Sequence, residues 1–355
     1  MAIITEETII DDRGVQQVAH PQTESAAITD ATSLSRQIIQ AGDGATILTK
    51  LGASTFMQDV LKQAAAGDVL SKLGVSAFVK SALAGADAGT VLNEIVPKNA
   101  ASHNSFYRGK DITAAFDSGA FTKAVAAGTF DDIFPGDYIT KSPTIDGTAI
   151  GITKVLMGDL DYQLYAGDAM LATHHVRVVP QDVLNVNTRM CTSNDTTGGY
   201  VASEMWTTTI PKYVTGLQNA FGSGHILTHR ELLTNAISAS APAGGGAGWV
   251  GSSSGWGWYD VTVNLMNENM VYGGRVFGSA FDTGERTQQL ALFRLNPSAR
   301  IAGYRNNRTD RRWYWLTAVA SASRFAICSA GGDANYSDAS YSGPWSGIRP
   351  SFLLY

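Results

Sequence analysis

Residues 312–355 read RWYWLTAVASASRFAICSAGGDANYSDASYSGPWSGIRPSFLLY, and this stretch decides the fold. Arg312-Trp-Tyr-Trp-Leu316 opens one strand and Arg324-Phe-Ala-Ile-Cys328 forms a second, because aromatic and β-branched residues crowd each run while small polar residues separate them. Gly347-Ile-Arg-Pro-Ser-Phe-Leu-Leu-Tyr355 reads as a closing strand. Between the second strand and the last lies a polar, aromatic loop over 333–346. Tyr and Trp give large rigid contact area there, and Ser, Gly and Asn adapt their hydrogen bonds. Asn335, Tyr336, Asp338, Tyr341 and Trp345 are therefore candidate ligand-binding residues; the opposite reading has Tyr336, Tyr341 and Trp345 packed inward.

Working back along the chain, Asp137-Tyr-Ile139, Ala149-Ile-Gly-Ile152 and Val176-Arg-Val-Val179 read as short strands. Pro211 to Phe221 reads as a helix with proline in its first turn and Val214, Leu217 and Phe221 on one face. Thr228-His-Arg-Glu231 has the spacing of a capping box and predicts a second helix. Asp260 is a suitable N-cap for a third, running through Met266 and Met270 to Gly273-Gly274. The segment between these two, APAGGGAGWVGSSSGWGWYD at 241–260, is expected to be a Gly/Ser-rich loop carrying aromatic surface. Trp256 and Trp258 join the candidate ligand-binding residues on that ground. The mixture of strands and short helices predicts an α+β fold.

The N-terminal third has different chemistry. All seven Trp lie between Trp206 and Trp345, and the last Lys is Lys212. Residues 47–68, ILTKLGASTFMQDVLKQAAAGD, repeat as VLSKLGVSAFVKSALAGADAGT at 69–90, and VLNEI at 91–95 begins a third copy. Leu48 aligns with Leu70 and Leu92, Gly52 with Gly74, Phe56 with Phe78, and Leu61 with Leu83. A fixed period of this kind marks one structural unit per copy, here short helical turns punctuated by glycine. So few residues enclose too thin a core alone, which predicts burial against identical chains, with a trimer as the expected number; the alternative is a monomeric helical repeat packed on the C-terminal domain. The domains expected are an extended attachment arm at 1–40, an oligomerisation stalk at 41–100 with its boundary near Pro97 to His103, and a binding domain at 101–355.

Composition narrows the function. The net charge is −5 and only 16% of the 355 residues are charged, which disfavours general nucleic-acid binding. MAIITEETIIDD lacks the basic and apolar regions of a signal peptide, and no apolar run approaches membrane-spanning length. A protein made in the host cytoplasm is expected. Cys191 and Cys328 are too few for a disulfide framework and are read as buried thiols.

The ending "WL…GxRPxF" resembles a widespread domain of phage and gut-bacterial proteins whose last strand carries G-[VI]-R-P, a domain that in turn looks like the C-type-lectin-like fold. Tyr107-Arg-Gly-Lys110, Gly128-Thr-Phe-Asp-Asp132, Thr173-His-His-Val176, Thr197-Gly-Gly-Tyr-Val201 and His225-Ile-Leu-Thr-His-Arg-Glu-Leu-Leu-Thr-Asn235 are similar to stretches of the same group. The resemblance spans about residues 103–355 and implies a virion structural protein. Trp315-Leu-Thr317 stands where "WLR" is expected, which puts one charged contact in doubt. The 333–346 loop also resembles the variable segment of retroelement-diversified lectin-fold proteins.

Catalytic chemistry is not selected by any motif. His174 and His175 are adjacent, so on a strand they point to opposite faces. His225 and His229 are four apart, but a helix start between them would separate them, and no Glu follows in a metalloprotease pattern. Asp131, Asp132 and Asp137 do not match a calcium-loop spacing. Arg300, Arg305, Arg308, Arg311 and Arg312 form a basic run that is read first as a solvated surface. The expectation is a non-enzymatic, cofactor-free phage particle protein, a tail or head fibre that binds a host surface glycan or protein and docks on other virion proteins through its arm. The alternatives are a decoration or adaptor protein and, further off, a particle-borne depolymerase.

Overall fold

The computed structural model describes residues 7–10, 16–19, 33, 41–61, 63, 66–77, 79–80, 88–284 and 286–355. The chain divides into two compact units, residues 1–94 and 95–355.

In the first unit, strands β1 (Glu7–Ile10) and β2 (Gln16–Ala19) pair antiparallel with Glu7 opposite Ala19. The rest of the expected 1–40 arm lies outside the described residues, apart from Ser33. Helices follow at Gly44–Lys50, Thr55–Leu61 and Ala66–Lys72, and a helix at Ala88–Ile95 reaches the unit boundary. The 22-residue period is written into the backbone. Leu51 N–H donates to the Ile47 carbonyl at 3.0 Å, and Leu73 N–H to that of Val69 at 3.0 Å. Gly52 and Gly74 then turn left-handed, at φ 78° and 74°, a conformation that ends a helix and suits glycine. Ser54 Oγ accepts from Met57 N–H at 3.1 Å, and Ser76 Oγ from Val79 N–H at 3.3 Å, so each copy restarts on a serine cap. Phe78 and Leu83, which align with Phe56 and Leu61, lie outside the residues whose side chains are described. Among the described residues of this unit, Gln58 alone is buried; Leu51, Phe56, Leu61 and Leu73 are each more than half exposed.

The second unit is mixed α+β. Its strands are β3 (Tyr138–Lys141), β4 (Thr144–Ile145), β5 (Thr148–Ala149), β6 (Thr153–Leu160), β7 (Val176–Pro180), β8 (Asn185–Val186), β9 (Ile226–Leu227), β10 (His229–Pro242), β11 (Val250–Val261), β12 (Val263–Leu265), β13 (Ala302–Tyr304), β14 (Asn307–Ser321), β15 (Arg324–Cys328), β16 (Ala334–Asp338), β17 (Ser346–Ile348) and β18 (Pro350–Leu354). One sheet has the order β12-β18-β7-β6-β3, with β9 beside β18; a second has β16-β15-β14-β17-β8, with β13 beside β14. β10 and β11 form a separate long hairpin.

β14 lies between two buried clusters. Trp315 and Val319 enter one, with Tyr200, Phe221 and Phe352; Tyr314, Leu316 and Ala318 enter the other, with Tyr162, Met266 and Phe293. Alternation along the strand explains this, since successive side chains face opposite ways. Each polar tip is satisfied: Trp315 Nε1 donates to the Thr188 carbonyl at 2.9 Å, and Tyr314 Oη to that of Arg300 at 3.0 Å. Thr317, at the position where an arginine was expected, is buried, and its N–H donates to the Met266 carbonyl.

The final strand runs from one sheet into the other. β17 pairs parallel with β14, and β18 pairs antiparallel with β7 and β12. Arg349 sits at the crossing, fully buried, and donates to the carbonyls of Pro180, Ala299 and Arg300. A Cβ on Gly347 would collide with Val183. The Gly-Ile-Arg-Pro run is thus a crossover device rather than a binding loop.

Several of the stretches quoted above interlock in the same structural way. Arg108 pairs with Asp132 and with buried Asp137 and stacks on Phe134; Lys110 holds Asp132 at 2.6 Å and Lys98 holds Asp131 at 2.6 Å. These aspartates are ion-paired rather than gathered on a cation. A side chain on Gly128 would strike His174, whose Nδ1 is 2.8 Å from Asp161. His175 faces inward, with Nε2 accepting from Gln163 N–H at 3.0 Å.

The helix expected over Pro211–Phe221 is present as Ile210–Phe221, with Leu217 and Phe221 buried. The one expected from Thr228 is not: residues 229–242 are β10. Thr228 Oγ1 bonds Thr262 Oγ1 instead of capping a helix, and Glu231 is drawn into the core beside Arg177 and His229. The third helix is shortened to Glu268–Tyr272, capped by Asn267 and not Asp260, and ended by Gly273 at φ 79°. Of the expected strand 149–152 only Ala149 lies in a strand, the two-residue Thr148–Ala149, and the next strand starts at Thr153. Cys328 is buried, whereas Cys191 is half-buried.

Candidate functional site

The Gly/Ser-rich segment at 241–260 is not a free loop. Its greater part is β11, paired with β10 from His229↔Val261 to Pro242↔Val250. Gly255-Trp256-Gly257-Trp258 alternates small and large side chains along β11, and register shifts after Thr234 and Ser238 bend the ribbon.

One carboxylate fastens this hairpin. Asp282 is buried on the short turn Ala280–Thr283, where Ser279 and Asp282 form a capping box. Ser253 Oγ donates to it at 2.8 Å, Trp256 Nε1 at 3.0 Å and Ser279 N–H at 3.0 Å; Thr234 Oγ1 donates as well, at 2.5 Å. Burial pushes the Asp282 carboxyl up, against the pull of these donors. Glu268 is also buried and accepts from the backbone N–H groups of Val276, Phe277 and Gly278. The 276–282 segment is therefore held at both ends by carboxylates, and Trp256 is fixed edge-on to Phe281, centroids 5.3 Å apart.

An open cleft of about 550 Å³ lies beside this anchor. Trp256, Ser252, Ser253, Arg275 and Ser279 line it, with Pro242 and Gly244 at its hairpin side. Ser252 and Ser279 join hydroxyls at 2.7 Å. Gly244 is required where the hairpin meets the loop, since a Cβ there would collide with the Phe277 carbonyl.

The candidate residues from the sequence separate into three groups. Trp256 is on the cleft. Trp258, half-buried, faces Leu232 across the hairpin. Asn335, Tyr336 and Asp338 are not in a loop but on β16, which pairs with β15. Tyr336 packs against Trp249 at 4.6 Å and Phe277 at 5.3 Å, while Asp338 holds Arg324 at 2.8 Å. Asn335 is exposed. Tyr336 thus belongs to an aromatic cluster whose member Phe277 also borders the cleft loop. Tyr341 and Trp345 form a separate exposed patch: Tyr341 lies 5.5 Å from Trp313, and Arg312 stacks on Trp345 at 4.6 Å.

Asp282, Ser253, Ser279 and Arg275 were not singled out in the sequence. Ser279-x-x-Asp282 carried the capping-box spacing that would have found two of them; Arg275, after two glycines, carried no signal. Of the basic run, Arg312 is held by Asp310, and Arg305 lies over Tyr304. His225 meets the Tyr355 carbonyl at 3.2 Å and His229 is buried against Glu231, so the two do not form a ligand pair. A second open groove, of about 620 Å³, runs between Trp206 and Val263. It is lined mainly by apolar groups, and its Asp260 and Thr262 are engaged by Arg230 and Thr228.

Comparisons with protein-family models, with curated proteins and with solved structures find no match for this chain. Among the described residues, no helix is long and apolar enough to cross a membrane.

Proposed function

We propose that the chain is a structural and adhesive subunit of a tailed bacteriophage particle, a tail or head fibre that assembles through its N-terminal repeats. Its C-terminal unit, read as C-type-lectin-like, presents a binding surface to a host glycan or protein. Residues 1–40 dock it on other virion proteins, and the chain reaches its place from the host cytoplasm as part of the particle.

The observation that carries this reading is the exposure of the repeat. Leu51, Phe56, Leu61 and Leu73, at 57%, 51%, 58% and 51%, are large apolar side chains left facing water on units whose backbone geometry is nonetheless regular. Apolar surface of this kind is buried by association, at roughly 25 cal/mol per Å² removed from water. Identical repeats make an identical chain the natural partner. The exposed rings and the cleft of the second unit would then be displayed several times on one particle, which converts weak contacts into durable attachment.

Adsorption tests this. Purified full-length protein is expected to bind bacterial cells, and the doubly substituted Leu51→Asp, Leu73→Asp chain to bind at least tenfold more weakly. Equal adsorption by the two, or none by the unaltered protein to any of a broad panel of hosts, contradicts the reading.

A further inference from the structure

We propose that the cleft beside Trp256 takes a pyranose ring bearing a carboxylate, a uronic or nonulosonic acid unit of a surface polysaccharide, with Trp256 against the ring and Arg275 on the carboxylate. The inference rests on the adhesive reading above and names its ligand class.

Arg275 is exposed on the cleft wall. It makes no ion pair, hydrogen bond or ring contact with any described residue, whereas Arg230, Arg312 and Arg324 on the same unit each hold a carboxylate. An unengaged guanidinium keeps its planar fork of donors, which matches a carboxylate in two parallel hydrogen bonds. Trp256 supplies the second element. Its ring is fixed before any ligand arrives, by Asp282 at Nε1 and by a T-shaped contact with Phe281, so little side-chain freedom is lost on binding. An indole in an open cleft offers an apolar face to the C–H side of a sugar. Ser252 and Ser279 supply the third: each hydroxyl keeps hydrogen-bonding capacity beyond their mutual bond and suits ring hydroxyls.

Charge decides among occupants. Arg275 is the one formally charged side chain lining this cleft among the described residues, so a monoanion is matched and a polyanion is not. A simple phosphate would satisfy Arg275 but leave the Trp256 wall unused. A neutral sugar would use the wall and leave the guanidinium without a partner.

Saturation-transfer NMR on the full chain tests this, with N-acetylneuraminic acid, galacturonic acid, galactose and inorganic phosphate as probes. An acidic sugar is expected to bind and to receive saturation along its ring C–H groups. Arg275→Gln should weaken that binding at least tenfold with an unchanged melting temperature, Arg275→Lys should restore part of it, and galactose should bind equally weakly to all three proteins. No binding of either acidic sugar overturns the proposal, as does equal affinity in Arg275→Gln, or displacement of the sugar by phosphate at equal concentration. Cell adsorption is read separately. If Arg275→Gln adsorbs normally, adhesion stands and this site does not; if the unaltered protein adsorbs to nothing, the adhesive reading itself fails.

Discussion

Arg349 Nε donates to the carbonyl of Pro180 at 2.7 Å, across the point where the last strand leaves one sheet and enters the other. The guanidinium also reaches Ala299 and Arg300 and lies over the rings of Phe293 and Tyr314. Among the described residues no carboxylate pairs with it; carbonyl oxygens and ring faces hold a fully buried cation.

Arg349→Met should therefore destabilise the second unit by about 3 kcal/mol or more, because several buried carbonyls lose their donor together. A melting-temperature drop of roughly 6–12 °C follows for a unit of this size. Thermal denaturation followed by far-UV circular dichroism checks it, and a drop under 2 °C would mean the carbonyls find other partners.

Two buried groups give stability opposite pH dependences. Burial lowers His175 to about 3, so the folded chain resists its protonation, and the stability tied to it is present above pH 6.5 and lost as pH falls from there towards 3. Burial raises Asp159 to about 7, so its contribution is present below pH 3.8 and is lost as pH rises towards 7. Asp159→Asn should remove that fall and leave the His175 rise unopposed, so that stability climbs more steeply with pH between about 4 and 6.5 than in the unaltered protein. Urea unfolding at half-unit pH steps reads this directly; an unchanged slope from pH 4 to 7 would remove Asp159 from the account.

Asp282→Ala should strip the acceptor from Thr234, Ser253, Trp256 and Ser279 at once. Each buried donor left unpaired costs about 1–3 kcal/mol, so an overall loss of several kcal/mol is expected. The indole N–H of Trp256 should exchange with solvent at least tenfold faster. Hydrogen exchange at that indole by NMR makes the measurement, and unaltered exchange would mean that Asp282 does not fix the ring.

How much of this was legible beforehand depended on whether the signal was local. The 22-residue period, the glycines at 52 and 74 and the serines at 54 and 76 are local, and the backbone repeats them hydrogen bond for hydrogen bond. The strands around Trp315 and Phe325 were legible because alternation and aromatic crowding are intrinsic to them. Thr228–Glu231 failed because a cap pattern competes with tertiary contacts: Glu231 is needed at about 3.0 Å from Arg177, fifty-four residues away. The Trp-rich 241–260 segment failed for a related reason, since glycine and serine look like loop yet accept strand geometry once β10 is beside them. The candidate rings at 336, 341 and 345 divided because β16 pairing turns Tyr336 towards Trp249 and leaves Tyr341 and Trp345 outside.

Gly52→Ala and Gly74→Ala should each destabilise the repeat by about 1 kcal/mol, since both glycines have positive φ and open space around the missing Cβ. Conformational strain alone would then be read, without a steric clash. Chemical denaturation monitored by hydrogen exchange within residues 44–80 gives the comparison, and a stabilising effect would show that the left-handed turns do not persist.

Self-association is the point on which the account turns. Multi-angle light scattering of the full-length chain at micromolar concentration is expected to give a mass three times that of one chain, falling to a single chain's mass in the Leu51→Asp, Leu73→Asp variant. A monomer for the unaltered protein across that concentration range would contradict it.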